Sequence, residues 1–250
     1  MIRKPFQGVL NIIRFNWHLY VFAIAFLTSI LLITQYFENP IQIIIYTVCI
    51  LIFITTIVSL LTSFYIYDLS GLYKFSWIDL QDTDKTIVNI SAGFDESSAI
   101  LQRKFPKSKL IVFDFYDPEK HTEISIKRAR KAFLPFPNTV SVETSNLHLT
   151  NDLVDKIFVI LSAHEIRNEN ERITFFKELR RILKPNGNIY IMEHLRDLPN
   201  FLAYNIGFFH FHSKASWLKT FHGADLHLEK EIKLTPFIST FELTKHGNTL

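Results

Sequence analysis

Two long apolar runs open the chain. The first, FNWHLYVFAIAFLTSILLITQYF, fills the interval between Arg14 and Glu38 without an Asp, Glu, Lys or Arg. The second, PIQIIIYTVCILIFITTIVSLLTSFYIY, extends from Pro40 to Tyr67 and ends at Asp68. At about 1.5 Å per helical residue, each is long enough for a hydrocarbon core of about 30 Å. Trp17, Tyr20, Tyr36 and Tyr65 fall where interfacial aromatic residues belong, and the tight ENP link makes the two spans a hairpin. The first run is too long for the apolar core of a signal peptide, and no small-residue cleavage site separates it from the second. Arg3, Lys4 and Arg14 precede it while the turn carries only Glu38, which places both ends of the hairpin in the cytoplasm. The expectation is an integral membrane protein with both termini cytoplasmic: an anchor of two transmembrane helices over residues 1–69 and a cytoplasmic domain over 70–250.

Past the connector DLSGLYKFSWIDLQDTDKT, Asp68 to Thr86, the pattern changes. Short β-rich runs alternate with helical periodicity: TIVNI and a helix to Lys104; KLIVFDF and a helix from Pro118 to Phe133; TVSVET; DKIFVIL and a helix from Asn170 to Leu183; then NIYIMEH. Such alternation predicts an α/β domain with a parallel sheet covered on both faces. In ENERITFFKELRRILK, Ile173, Phe176, Leu179 and Leu183 recur at three- and four-residue spacing, which buries one face and leaves Glu171, Arg172, Glu178 and Arg181 in water. The helix stops at KPNG. The final runs, LHLEKEIKLTP and FISTFELTK, are joined by little more than Thr235 and Pro236, too short a link for a helical crossover, so they pair antiparallel. A dinucleotide-binding Rossmann sheet does not end that way.

Composition and charge narrow the picture further. The mean hydropathy of the whole chain is positive, as a partly lipid-embedded protein requires. The net charge of +3 dissolves into a near-balanced soluble part, so no nucleic acid is expected as a partner. KRARK, Lys127 to Lys131, reads as a solvated helix face, with contact to anionic headgroups as the alternative. Cys49 is the sole cysteine and lies in the second span, which excludes a disulfide framework and a cysteine-based zinc site.

The terminal hairpin, together with FFKELRRILKPNGNIYIMEH, resembles the class I S-adenosylmethionine-dependent methyltransferases over about Lys85 to Lys245. The whole chain is similar to bacterial membrane-anchored proteins of that type. The resemblance implies a Rossmann-like seven-stranded sheet ending in an antiparallel hairpin, with S-adenosyl-L-methionine as cofactor. In NISAGFDESSAIL it sets Asn89 where an acidic residue ends the first strand, Gly93 at the central glycine, and Ser91 and Asp95 at the flanking glycines. Asp95 and Glu96 at the start of the following helix disfavour a phosphate but suit a cofactor with cationic groups. Asp114, at a strand end about twenty residues beyond the loop, fits a ribose-binding carboxylate. Glu143 aligns with the adenine-contacting acidic turn and reads equally well as a plain loop residue.

Chemistry belongs at the carboxyl ends of the strands. SAHEIRN puts His164 and Glu165 there, His164 as a base or acceptor-orienting group or as a loop hydrogen-bonder. Glu193 and His194 end the fifth strand, and Arg196 with Asp197 reads as an ion pair. The aromatic segment LPNFLAYNIGFFHFHSKASWL, with Phe201, Tyr204, Phe208 and Phe211, fits an apolar mouth facing the bilayer; core packing alone accounts poorly for His210 and His212. The candidate catalytic set is His164, Glu165, His194 and His210. HFH alone does not make a metal site, and no metal is expected. These readings point to methyl transfer onto a membrane-associated or apolar, lipid-like acceptor at the cytoplasmic face. The rival is a non-catalytic membrane scaffold on the same fold, favoured by the two lost glycines. An NAD-linked oxidoreductase is disfavoured by the missing glycine fingerprint.

Overall fold

The computed structural model describes residues 4–78 and 85–245; residues 79–84, in the second half of the connector, lie outside the described residues. Two helices come first, α1 (Gln7–Thr34) and α2 (Asn39–Phe64), both long and apolar enough by length and composition to cross a membrane. The helix α1 begins two turns before the apolar run and is broken at Asn16 (φ −113°, ψ 17°). The cause is lateral: Arg128 donates to the Phe15 carbonyl (2.7 Å), and Asn16 Nδ2 takes the carbonyl of Ile12 (3.0 Å). The kink separates a segment that packs on the domain from the apolar span beyond it.

The domain carries β1 (Thr86–Ser91), α3 (Ser98–Lys104), β2 (Lys109–Asp114), α4 (Ile124–Ala132), β3 (Val140–Ser141), β4 (Val154–Ile160), α5 (Glu169–Ile182), β5 (Leu183–His194), α6 (Leu198–Tyr204), α7 (Lys214–Gly223), β6 (His227–Thr235) and β7 (Ile238–Thr244). The strands form one sheet in the order β3-β2-β1-β4-β5-β7-β6. The first five are parallel, and β7 is antiparallel to both β5 and β6. The seven-stranded sheet and its closing hairpin are those the sequence predicts. The central strands are buried on both faces, which explains their unbroken apolar runs. Phe175, Phe176, Trp217 and Phe221 fill one face, while Phe75, Phe105, Phe158 and Tyr190 fill the other.

Three local expectations change and one holds with a detail added. The helix expected from Pro118 starts at Ile124, because Asp117 closes a local turn: its carboxylate accepts from Glu119 N (2.9 Å) and its own N–H donates to His121 Nδ1 (2.8 Å). The strand β3 keeps only two residues of TVSVET, since the chain turns back at a Glu143–Asn146 bridge. KPNG ends α5 as expected, at Ile182; the chain runs straight on into β5, whose pairing with β4 shifts register over these residues (Val154 opposite Leu183, then Lys156 opposite Asn188), and a Cβ on Gly187 would stand 2.8 Å from the Asp155 carbonyl. Arg172 is not in water but fully buried. It donates to Thr220 Oγ1 (2.9 Å), Ser216 Oγ (3.0 Å) and the Ile166 carbonyl (3.0 Å), and its guanidinium lies 5.5 Å from the Trp217 ring.

Candidate functional site

The parallel register sets Ser91 beside Asp114 at one edge of the sheet. The loop after β1 turns at Gly93, whose φ of +92° side-chain-bearing residues rarely adopt; a Cβ there would come within 3.0 Å of both Arg130 and Tyr116. Asn89 braces the loop from below. Its Nδ2 donates to Asp95 Oδ1 (3.2 Å), Ser97 Oγ (2.9 Å) and Ser98 Oγ (2.8 Å). Asp95 Oδ1 also accepts the N–H groups of Ser97 and Ser98 (both 2.9 Å), so it starts α3 as a capping residue. Asn89 Oδ1 and Asp95 Oδ2 are buried with no partner among the described residues. Buried acceptors of this kind call for a donor, and a cationic ligand supplies one.

Asp114 accepts from Tyr116 N (2.9 Å) through Oδ1 and pairs with Arg130 through Oδ2. Arg130 in turn lies 4.3 Å over the Tyr116 ring, so one guanidinium covers both Gly93 and Asp114. Its side chain is 39% exposed and sits on the last turn of α4, which leaves it room to swing outward. Asn89, Ser91, Gly93, Asp95 and Asp114 are thus brought together. Glu143 is exposed and lines a separate polar recess with Tyr116 and His121.

A second cluster occupies the ends of β4 and β5. His164 Nδ1 lies 2.6 Å from Glu193 Oε2, and the same carboxylate accepts the His164 N–H (3.2 Å). Burial alone would lower the His164 pKa; the Glu193 and Glu165 carboxylates outweigh it and raise it to about 10. Glu165, also penalised by burial, is nonetheless held well below the usual carboxylate range by hydrogen bonds from His164 and His210. His210 reaches the cluster from the turn after α6, with Nδ1 3.0 Å from Glu123 Oε1, and its hydrogen bond lowers the Glu123 pKa. His194 faces away from these acids: Nδ1 meets Asn200 Oδ1 (2.9 Å), Nε2 meets the Tyr67 hydroxyl (2.8 Å), and burial lowers its pKa to about 4. Phe211 stacks on it at 4.7 Å. His212 turns the other way, toward Arg172 (3.2 Å). Arg196 and Asp197 do not pair with each other. Arg196 holds the carbonyls of Phe209 and Phe211, while Asp197 caps α6.

The hairpin closes the site from above. Asp68 accepts the N–H groups of Gly8 (2.8 Å) and Val9 (2.9 Å), tying the start of α1 to the end of α2. Glu96 accepts the Tyr73 hydroxyl (2.8 Å) and lies 3.4 Å from Gln7 Nε2. Phe15 packs edge-on against Phe94 (5.5 Å) and Phe133 (6.1 Å). Between α1 and the strand ends lies a cavity of about 220 Å³, walled by Phe15, Tyr67, Phe94, His164, His194 and Phe211. A wider cleft shares these walls and runs out past Leu19, Tyr20 and Ser59 on the hairpin.

Sequence reasoning missed Glu123, Arg130 and Tyr67. KRARK reads as solvated as a charge run, and Lys127, Arg130 and Lys131 are exposed, yet Arg128 reaches the Phe15 carbonyl of α1 and the Arg130 guanidinium reaches Asp114. The signal was the offset between the charge run and the helix period.

The architecture is that of the class I S-adenosylmethionine-dependent methyltransferase fold. The structure of the mitomycin 7-O-methyltransferase MmcR is similar, with a TM-score of 0.55 at 12% identity, covering 98% of this chain and 74% of that one. A SAM-dependent methyltransferase from Aquifex aeolicus is similar at TM-score 0.48 and 16% identity, covering 64% and 81% of the two chains. An S-adenosylmethionine-dependent methyltransferase from Clostridium acetobutylicum gives 0.48 and 13%, covering 66% and 85%. By sequence, no family model and no curated protein matches the chain.

Proposed function

We propose that the protein transfers a methyl group from S-adenosylmethionine to an apolar or lipid-like acceptor at the cytoplasmic face of a membrane. The observation that carries this reading is the cavity shared by the membrane-length hairpin and the strand-end histidines. Its walls run from Leu19, Tyr20 and Phe15 on the hairpin to His164, which gives an acceptor moving out of a bilayer a route to the strand ends. S-adenosylmethionine, when bound, supplies an electrophilic methyl group on a sulfonium. Gly93 gives the close backbone approach, Asn89 Oδ1 and Asp95 Oδ2 offer acceptors to an ammonium group, and Asp114 accepts ribose hydroxyl protons once Arg130 withdraws. His164, held in orientation by Glu193 and lining the cavity, positions an acceptor oxygen there.

Incubating membranes with methyl-labelled cofactor and the full chain, then identifying the labelled species by mass spectrometry, tests the reading. No labelled product would sink it. Asp114→Asn keeps the shape and removes the charge; its titration by S-adenosylmethionine should show affinity at least about ten-fold weaker, the cost of a lost charge-assisted hydrogen bond. Unchanged affinity would remove Asp114 from the site.

Contact with the bilayer has its own expectation. The outer face of α6 and the turn after it exposes Leu198, Leu202, Ile206 and Phe209, the last three 63%, 82% and 60% accessible. This stripe lies on the segment that packs on α2 and is read here as an interfacial contact. Ile206→Glu should slow transfer to acceptor in vesicles several-fold and leave cofactor affinity unchanged; equal rates would show that the stripe does not meet lipid.

One observation favours the scaffold reading, the Arg130 guanidinium lying across Gly93 and Asp114. Arg130→Ala separates the two. Wild-type protein that binds S-adenosylmethionine makes Arg130 a movable cover; wild-type protein that binds none, while Arg130→Ala does, makes it a fixed block and favours the scaffold.

A further inference from the structure

Two histidines from distant parts of the chain turn the same ring atom toward one carboxylate. His164 follows β4 and His210 ends the turn after α6. Each has its Nδ1 against a different acid, Glu193 at 2.6 Å and Glu123 at 3.0 Å. Each has its Nε2 near the same oxygen, Glu165 Oε1, at 3.3 Å and 3.7 Å. An imidazole whose Nδ1–H is given to a carboxylate presents its lone pair at Nε2, and this carboxylate–histidine arrangement is how proteins orient histidine ligands for metals.

We propose that His164, Glu165 and His210 bind a divalent transition-metal ion through the two Nε2 atoms and the Glu165 carboxylate. Glu193 and Glu123 fix the two rings. Ligand atoms about 2.1 Å from one ion stand roughly 3 to 4 Å apart, which the two distances to Glu165 already satisfy. One ligand atom from each of the three residues lies within 4.8 Å of the others, so a small rotation of His210 completes the set. That ring sits on a turn and is 28% exposed, with room to rotate.

The composition of the cluster points the same way: three carboxylates, Glu123, Glu165 and Glu193, surround two imidazoles. Arg167 is the competing cation: it lies 3.5 Å from Glu123 and touches the His210 ring, and it must withdraw toward solvent, where 43% of its side chain already is. Two imidazoles and one carboxylate suit zinc or ferrous iron and leave coordination positions open. His164 lines the acceptor cavity, so on the reading of the preceding section an ion here would meet an acceptor oxygen. Metal binding is measured without methyl transfer, so the two ideas fail separately.

The full chain in detergent, stripped with chelator, is titrated with Zn²⁺ by calorimetry and with Co²⁺ by visible absorption. The expected result is one ion per chain and a d–d absorption band characteristic of a low-symmetry cobalt site. Glu165→Gln and His210→Ala should each weaken Zn²⁺ binding by more than about 100-fold, and Glu123→Gln by about 10- to 100-fold. His212→Ala, which alters a histidine bonded to Arg172, should leave the affinity unchanged. Wild-type protein that takes up no ion overturns the proposal without recourse to any variant. So does affinity that survives in folded Glu165→Gln and His210→Ala, or that falls equally in His212→Ala.

Discussion

A His164→Ala variant transfers methyl groups about 10²-fold more slowly than the wild type, with S-adenosylmethionine affinity changed by less than about three-fold. The split follows from position. His164 lines the cavity between hairpin and sheet, while Gly93, Asn89 and Asp114 belong to the neighbouring edge at β1 and β2. Its ring is held at 2.6 Å by Glu193, whose carboxylate is completely buried, so the imidazole is fixed before any acceptor arrives. Fixed groups contribute rate by orientation, and that function does not concern the cofactor. Single-turnover transfer from labelled cofactor gives the rate, and calorimetry gives the affinity. A rate within three-fold of wild type would take His164 out of the chemistry; a parallel loss of cofactor affinity would move it to the other side of the site.

Arg172→Ala costs about 3 kcal/mol or more of stability, roughly a 10 °C fall in Tm for a chain of this size. The side chain is 1% exposed and donates to two hydroxyls and the Ile166 carbonyl while lying over Trp217. Truncation leaves those acceptors dry and opens a void beside the largest buried ring of the domain. Arg172→Met keeps much of the volume and loses only the bonds, so its Tm falls less. Thermal unfolding followed by circular dichroism measures both. A loss below about 1 kcal/mol would show that Arg172 is solvated in the native state.

The strand order was legible because the central strands are apolar on both faces and the last two runs have no room for a crossover. Asp114 and Gly93 could be placed because each ends or follows a strand at a fixed remove. His164, Glu165 and His194 lie at strand ends for the same reason. The rest depends on pairings that spacing does not encode. Glu123 and His210 are far apart in sequence and meet only because α4 and the turn after α6 converge on the end of β4. Arg130 looks like one charge among several until the register of α4 aims it at Asp114. Arg172 broke the rule that a charged residue on an amphipathic helix stays wet, since α7 and the turn after Ile166 supply enough acceptors to bury it.

Asp68 closes the hairpin on itself by holding the first N–H groups of α1 from the π-helical turn (Tyr65–Leu69) that follows α2. The hairpin so closed meets the domain through Tyr67 on His194, Phe15 on Phe94 and Arg128 on the Phe15 carbonyl, across the point near residue 70 where the compositions divide. A fragment cut at that point loses Tyr67 from His194 and Phe15 from Phe94, leaving an apolar edge bare at the entrance to the site. Such a fragment is a different molecule with a similar sheet, and its solubility or inactivity would say little about the intact chain.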